Sequence, residues 1–366
     1  MTRTVHIAGG GVSGLATAAL LAGRGVAVEV HERTAGEGGG RFAGGWQVLE
    51  NGSCPEDALA EAKRLGIDVG FASVPARQAV FLDGAGRVYE VQSADPFAYF
   101  VRRGQGTGTL DEALRRQAEE AGAVLFRRAA ADWPVDIVAT GPRQADGVAR
   151  EVVFSSDLPD TVTVLFDPRL TPSGYAYLFC LDGHATFGVA QVRGVRGLAR
   201  AREGAWQRFR KVFGEFRVAR LHDGGQFMNF SIPAHLSGRD GRWYVGEAAG
   251  VQDYLFGLGN RLALRSAALA ADGLMGRWHQ VAFANRIRQP MITSLALRFL
   301  YERAGTTTFA ALCRQAAAGD FRELLMRLQR PRPLLQVLAR LVMTAWRERH
   351  GCRHAPVCSW CRRRER

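Results

Sequence analysis

The chain has 366 residues, 47% hydrophobic and 23% charged, with a formal net charge of +13 at pH 7. That balance excludes a disordered chain, and the length can bury a large core shared between two lobes. Six cysteines, scattered or gathered at the end, make no disulfide framework, and no apolar run approaches the roughly 20 residues of a spanning helix.

The first element begins within five residues of Met1, which leaves no space for a cleaved leader, so a cytoplasmic protein is expected. Val5-His6-Ile7-Ala8 reads as a buried parallel strand, and Gly9, Gly11 and Gly14 make a G-x-G-x-x-G turn around Val12 and Ser13. Residues 12–23 are rich in Ala and Leu without a β-branched run, which favours a helix that Gly23 and Gly25 end. A second strand ends at Glu32, just before Arg33. An acid at that place accepts hydrogen bonds from an adenosine ribose, while the helix N-terminus faces a pyrophosphate. Strand, glycines, helix, strand and terminal acid stand in register, the pattern of a dinucleotide-binding unit.

Gly38-Gly39-Gly40-Arg41 offers a second close backbone approach, from which Arg41 reaches the pyrophosphate or the substrate side. A short helix is expected over 56–65, then strands at 78–82 and 87–92 joined by a turn at 83–86. Arg102-Arg103 leads through a glycine loop into a helix running from Leu110 to about Glu120, followed by strands at 123–126 and 135–139, the latter ending at Thr140-Gly141. From 150 to 235 the pattern alternates, with strands at 151–154, 161–166, 174–180, 185–191, 216–221 and 226–232 around one helix at 198–213. Beyond 262 everything reads helical. Pro331 and Pro333 set off a last amphipathic helix whose Leu334, Leu338, Leu341 and Ala345 share a face.

These pieces resemble the FAD-dependent oxidoreductase superfamily that includes p-hydroxybenzoate hydroxylase, flavin halogenases and geranylgeranyl reductases. The resemblance spans about residues 4–275. It rests on the front unit and on Arg102-Arg103…Leu110-Asp111-x-x-Leu114, which looks like an R…LD-x-x-L element near the flavin. It rests also on Gly246-Glu247-Ala248-Ala249-Gly250 followed by Gly257-Leu258-Gly259-Asn260, similar to the family's distal G-D-A-A-G…G-x-G motif. Glu247 stands where Asp is usual, and the 38–41 stretch leans towards amine oxidases. Ser173–Cys180 with Phe187-Gly188-Val189 resembles the aromatic segment of geranylgeranyl reductases, with Tyr177 for Trp and Cys180 for Pro.

The resemblance implies an α/β protein: a Rossmann-type FAD-binding domain from segments 1–75, 99–149 and 236–275, and an antiparallel-sheet substrate domain from 76–98 and 150–235. A basic helical region, 276–366, follows. FAD would be held by Gly9, Gly11, Val12, Ser13, Gly14, Glu32, Arg33, Gly40, Arg41, Arg102 or Arg103, Gly141, Gly246, Glu247, Gly257, Gly259 and Asn260. Tyr175, Tyr177, Phe179 and Phe227 would line a tunnel for a lipophilic, unsaturated substrate, although alternating aromatics also serve simply to pack a sheet. The implied activity is geranylgeranyl-reductase-like redox chemistry. The alternatives are aromatic hydroxylation and amine-oxidase- or desaturase-like dehydrogenation.

Candidates for donating a proton are Cys54, near where geranylgeranyl reductases carry a cysteine, and Tyr175; a free Cys also serves as a small buried hydrophobe. Halogenation fits poorly. Met228–Pro233 lacks both tryptophans of W-x-W-x-I-P, and the only lysines are Lys63 and Lys211. No second dinucleotide motif follows a strand, so electrons are expected from transiently bound NAD(P)H or another donor.

Residues 276–366 hold 18 Arg against five acids, leaving residues 1–275 neutral. An anionic membrane surface or an acidic carrier protein suits that segment better than nucleic acid, for which no reading motif is present; a merely solvated face is the alternative. Cys352, His354, Cys358 and Cys361 offer zinc-type ligands, but the spacing is compressed and crowded by arginine, so no metal centre is expected.

Overall fold

A computed structural model describes residues 3–33, 42–127, 134–142, 145–192 and 197–350, the side chains of 220, 221 and 344–350 excepted. Three sheets organise the described chain. The first is a five-stranded parallel sheet of β1 (Val5–Ala8), β2 (Val28–Glu32), β8 (Val124–Arg127), β9 (Ile137–Val138) and β15 (Trp243–Tyr244), in the order β15-β9-β1-β2-β8. Strands from the two ends of the chain thus meet in one sheet. α1 (Val12–Ala22) packs against it, and all its residues are buried, as a helix apolar on every side requires.

A three-stranded antiparallel sheet joins β3 (Ala43–Glu50), β7 (Ala98–Gly104) and β4 (Ser73–Ala76) in the order β3-β7-β4. Sequence analysis does not foresee it, because glycines and a proline mask the alternation in β3 and β4. The helix expected at 56–65 is α2 (Ala58–Arg64), capped by Asp57, whose side chain accepts from Leu59 N and Ala60 N. α3 (Leu110–Glu120) is capped by Thr109, which accepts from Glu112 N at 3.1 Å.

The third sheet has seven strands in the order β14-β10-β13-β12-β11-β5-β6: β5 (Gln78–Asp83), β6 (Val88–Gln92), β10 (Gly147–Ser155), β11 (Thr161–Phe166), β12 (Gly174–Leu181), β13 (His184–Gln191) and β14 (Ala219–Met228). Its pairings are antiparallel except β5 with β11. The two strands expected at 216–221 and 226–232 are one strand. Gly224 and Gly225 do not break it; they lie opposite Glu151 and Arg150, and a Cβ on Gly225 would stand 3.0 Å from Arg150 Cδ. One face of this sheet packs α4 (Leu198–Phe213) through Phe154, Leu178, Phe187 and Phe209, and the other face joins the central core.

α5 (Asn260–Leu274) lies beside α1. After it come α6 (Gln280–Phe283), a π-helical turn over Ala284–Arg288, α7 (Gln289–Tyr301), α8 (Thr306–Ala317), α9 (Phe321–Gln329) and α10 (Pro333–His350). α10 packs on α7 through Leu335, Leu338, Ala339 and Val342. The stripe expected from sequence is therefore split: Leu338 turns inward, while Leu334 and Leu341 stay outside, 77% and 71% exposed. No helix among the described residues is long and apolar enough to cross a membrane.

Candidate cofactor cleft

Where the ends of β1, β9 and β15 meet the starts of α1 and α5, a cleft of about 610 Å³ runs from Glu32 and Arg33 at one end to Gly257–Asn260 at the other. Its walls include Gly9, Gly11, Val12, Ser13, Arg103, Gly141, Gly246 and Glu247. Sequence analysis singles out all of these, and the fold brings them together from six separate stretches of chain.

The local chemistry explains the glycines. Gly9 has φ +106°, and a Cβ there would stand 2.4 Å from the carbonyl oxygen of Ala139. A Cβ on Gly14 would stand 2.0 Å from the carbonyl oxygen of Gly9, so Gly14 lies behind the loop as a packing residue, not on the cleft wall. Gly11 differs from both: among the described residues, nothing beyond its chain neighbours stands within 4 Å of a Cβ there, because the residue opens on the cleft.

Two helix starts face this space without side-chain caps, α1 at Gly11 and α5 at Gly259. Their first amides are orphan donors that attract negative charge. At the far end the Glu32 carboxylate accepts the Gly10 amide at 2.7 Å, which ties it to the glycine turn. This donor set fits a pyrophosphate flanked by an adenosine ribose, so the residues present suit FAD.

Of the two candidate arginines, Arg103 faces the cleft. It grips Asp111 with two hydrogen bonds of 2.7 and 3.0 Å, donates to Asn260 Oδ1 at 2.8 Å and lies over the Phe42 ring. Neighbours on a strand point to opposite faces, so Arg102 turns away and donates to the Gly44 carbonyl. Gly40, Arg41, Cys352, His354, Cys358 and Cys361 lie outside the described residues.

Three sequence-based expectations need correction. Tyr177 and Phe179 do not line the cleft; with Tyr175 they form a row on the inward face of β12, with ring centroids 5.9 and 4.9 Å apart, and Phe179 meets Phe100 at 4.6 Å. The aromatic row fills its own space. Phe227 alone of the expected tunnel residues lines the cleft, 54% exposed. The Tyr175 hydroxyl donates to the Phe256 carbonyl at 2.5 Å, a prop beneath the Gly257 loop, not a proton donor on the cleft. Cys54 sits elsewhere, between Arg261 Nη2 at 3.1 Å and Arg265 Nη2 at 3.3 Å.

Those arginines belong to a buried ion cluster that sequence analysis misses. Arg261 Nε donates to Glu61 at 2.6 Å, and Arg265 donates to both Glu61 oxygens at 2.8 to 3.1 Å. Burial alone would raise the Glu61 carboxyl, but Arg265 and then Arg261 outweigh it and hold it below its ordinary 4.5. The cluster bolts α5 to α2 immediately behind Asn260. The legible signal was a pair of arginines four apart on one helix face.

A second unforeseen group is Glu151. The row Gly224, Glu151, Gly188, Tyr177 runs across four paired strands. With no side chain on Gly188, the Tyr177 ring crosses it, since a Cβ would stand 2.3 Å from Tyr177 Cζ. The Tyr177 hydroxyl donates to Glu151, as do Gln47 Nε2 at 2.9 Å and Gln226 Nε2 at 2.8 Å, and both glutamines line the cleft. Burial pushes the Glu151 carboxyl above 4.5 and, helped by that carboxyl, pushes Tyr177 well above the usual phenol value.

A raised carboxyl means that the folded state holds the proton more tightly than the unfolded chain. The stability it contributes is complete below pH 4.5 and is lost as pH rises towards the folded value. Glu151→Gln is expected to flatten the fall in unfolding free energy above pH 4.5. Denaturant titrations across pH check this; an unchanged slope would contradict it.

No family model matches the chain, and neither does any curated protein. Solved structures do. A geranylgeranyl bacteriochlorophyll reductase-like protein from Thermoplasma acidophilum superposes with TM-score 0.66 at 16% identity, covering 92% of this chain and 96% of its own. A flavin-dependent brominase gives 0.63 at 16% identity, with 95% and 100% covered. A p-nitrophenol 4-monooxygenase from Pseudomonas putida gives 0.60 at 16% identity, with 93% and 98% covered. The chain shares the fold of these three proteins. The matches cover more than nine-tenths of the chain. The three neighbours carry reductase-like, brominase and monooxygenase names, so what they share with this chain is architecture.

Proposed function

We propose that the protein is an FAD-dependent oxidoreductase acting on a lipophilic, unsaturated substrate. The observation that carries the cofactor is the pair of uncapped helix starts facing one cleft, with Gly11 open to it and Glu32 pinned at its end. When bound, FAD supplies two-electron redox chemistry at its isoalloxazine ring. Gly11, Ser13 and the α1 amides would hold the pyrophosphate, Glu32 the adenosine ribose, and Glu247 the sugar-alcohol chain. Arg103 and Asn260, locked to Asp111, would set the ring end.

The finer part of the proposal draws on Phe42, Val48, Phe227 and Leu258, apolar side chains on the cleft wall beside Gln47 and Gln226. Such a wall favours an apolar substrate with few polar contacts. Glu151 keeps the two glutamine amides oriented from beneath.

The test is anaerobic photoreduction of the purified, FAD-loaded protein followed by mixing with isoprenoid alkenes or with phenols. Reoxidation by alkenes without oxygen supports the reductase reading. Reoxidation that needs oxygen and a phenol would replace it with hydroxylation, and flavin that cannot be reduced at all would remove the enzyme reading.

The basic helical region is assigned an anionic lipid surface as its partner. Support comes from the outward side of α10, where Leu334, Val337 and Leu341 lie exposed close to the exposed Arg330, Arg332 and Arg340. Apolar area with interleaved cations is the pattern of interfacial binding. The protein is expected to sediment with phosphatidylglycerol vesicles in a salt-sensitive way and not with phosphatidylcholine. Leu334→Ser with Leu341→Ser should weaken this without altering thermal stability. Equal binding to both vesicle types, or preferential binding to DNA, would refute the assignment.

A further inference from the structure

On the face of the parallel sheet turned away from α1 lies a second cluster, adjoining the Glu32 end of the cleft, which His31 helps to line. β1 and β2 pair with His6 opposite Glu29 and Ala8 opposite His31. Alternation sends Val5, Ile7, Val28 and Val30 into the core with α1, and so sends His6, Glu29 and His31 to the other side. There His6 Nδ1 and His31 Nε2 are 3.3 Å apart, His6 Nδ1 and Glu29 Oε2 3.4 Å, and His31 Nε2 and Glu29 Oε2 3.6 Å.

Protons alone satisfy this triangle badly. Each ring nitrogen carries one hydrogen or one lone pair. If both histidines donate to Glu29, two N–H groups confront each other across the His6–His31 edge. If one histidine donates to the other, the acceptor presents its lone pair to the carboxylate. A cation at the centre satisfies all three edges together. Tetrahedral bonds of about 2.0–2.2 Å place ligand atoms roughly 3.3–3.6 Å apart, which matches the observed separations.

The cluster is also built to hold its shape. The His31 side chain is fully buried, while His6 and Glu29 are 12% and 26% exposed, which leaves a path for an ion. The His31 ring is stacked on Phe126 at 5.5 Å and on His6 at 5.6 Å. Asp136 stands close by as an anchor, accepting the His6 amide at 2.9 Å and pairing with Arg3.

We propose that His6, Glu29 and His31 bind a divalent transition-metal ion of the zinc class. Two imidazoles disfavour magnesium and calcium, which take oxygen ligands. Three protein ligands leave a fourth position for water. The ion would clamp β1 to β2 just before Glu32, and so fix the strand end that presents the ribose acid; the site stands apart from the redox chemistry itself.

The probe is Co²⁺, titrated into the metal-stripped full chain with Cys352, Cys358 and Cys361 changed to Ser so that the tail thiols cannot contribute. One equivalent is expected to develop the visible bands of four-coordinate Co²⁺, without thiolate charge transfer, and to be displaced by Zn²⁺. Glu29→Gln and His6→Ala should each weaken binding by at least the roughly 10- to 100-fold lost when even an outer partner is removed. Circular dichroism checks the fold, and if His6→Ala fails to fold, the isosteric Glu29→Gln decides alone. Absence of Co²⁺ bands in the serine-tail protein, or affinity unchanged in Glu29→Gln, would overturn the site.

Discussion

A Gly11→Leu chain is expected to fold as the parent does and to purify without flavin. The backbone at Gly11 is extended, with φ −84° and ψ −177°, so a side chain costs no strain, and among the described residues nothing beyond its chain neighbours lies within 4 Å of an added Cβ. The leucine would instead occupy the space where the first α1 amides meet a pyrophosphate. A single clash of this kind is worth several kcal/mol, so FAD affinity should fall by about 1,000-fold or more. Gly11→Ala, with one methyl, should fall in between. Isothermal titration with FAD, beside thermal unfolding of the flavin-free proteins, separates lost binding from lost folding. Parent-like affinity in Gly11→Leu would mean that the pyrophosphate does not lie there.

The second large effect falls on stability. Glu61→Ala leaves Arg261 and Arg265 buried without their main counter-charge, since Glu50 is 3.6 Å from Arg261 and reaches only one of them directly. Breaking a buried ion cluster by deleting one partner costs about 3–5 kcal/mol, mostly the penalty of the stranded charge. Glu61→Gln keeps the shape and some hydrogen bonds, and should cost less. The pH dependence has the opposite sign to that of Glu151. Because the folded-state value of Glu61 is depressed, its contribution is present above pH 4.5 and is lost as pH falls through the folded value. Urea titration at neutral and acid pH measures both. An alanine variant as stable as the parent would show that the arginines find other partners.

Much of the nucleotide fold is legible because its requirements are local. Gly9 needs a positive φ, Gly14 needs contact with the loop, and Glu32 needs the end of a strand, so the spacing is visible in a line of text. The distal glycines at 246 and 257 are legible only through resemblance, since nothing local says that they meet Gly11. The choice between Arg102 and Arg103 is decided by strand alternation against the three-stranded sheet, which the glycines of β3 conceal.

The expected tunnel fails for a physical reason. Residues 175, 177 and 179 do share one face, but that face meets the rings of Phe100, Phe166 and Phe256, so the row is packed shut. An alternating pattern tells which face is apolar and says nothing of what covers it. The Glu61 and Glu151 clusters escape for the converse reason: their partners lie far apart in sequence, on different elements. His6, Glu29 and His31 escape too, since it is parallel register, and not spacing, that brings them together.

The most direct test of the account is equilibrium titration of the flavin-stripped chain with FAD and, separately, with FMN. A cleft built around a pyrophosphate and a ribose acid predicts one equivalent of FAD bound tightly, FMN bound far more weakly, and ADP as a competitor. A chain that takes up neither flavin, or takes both equally and ignores ADP, would contradict it.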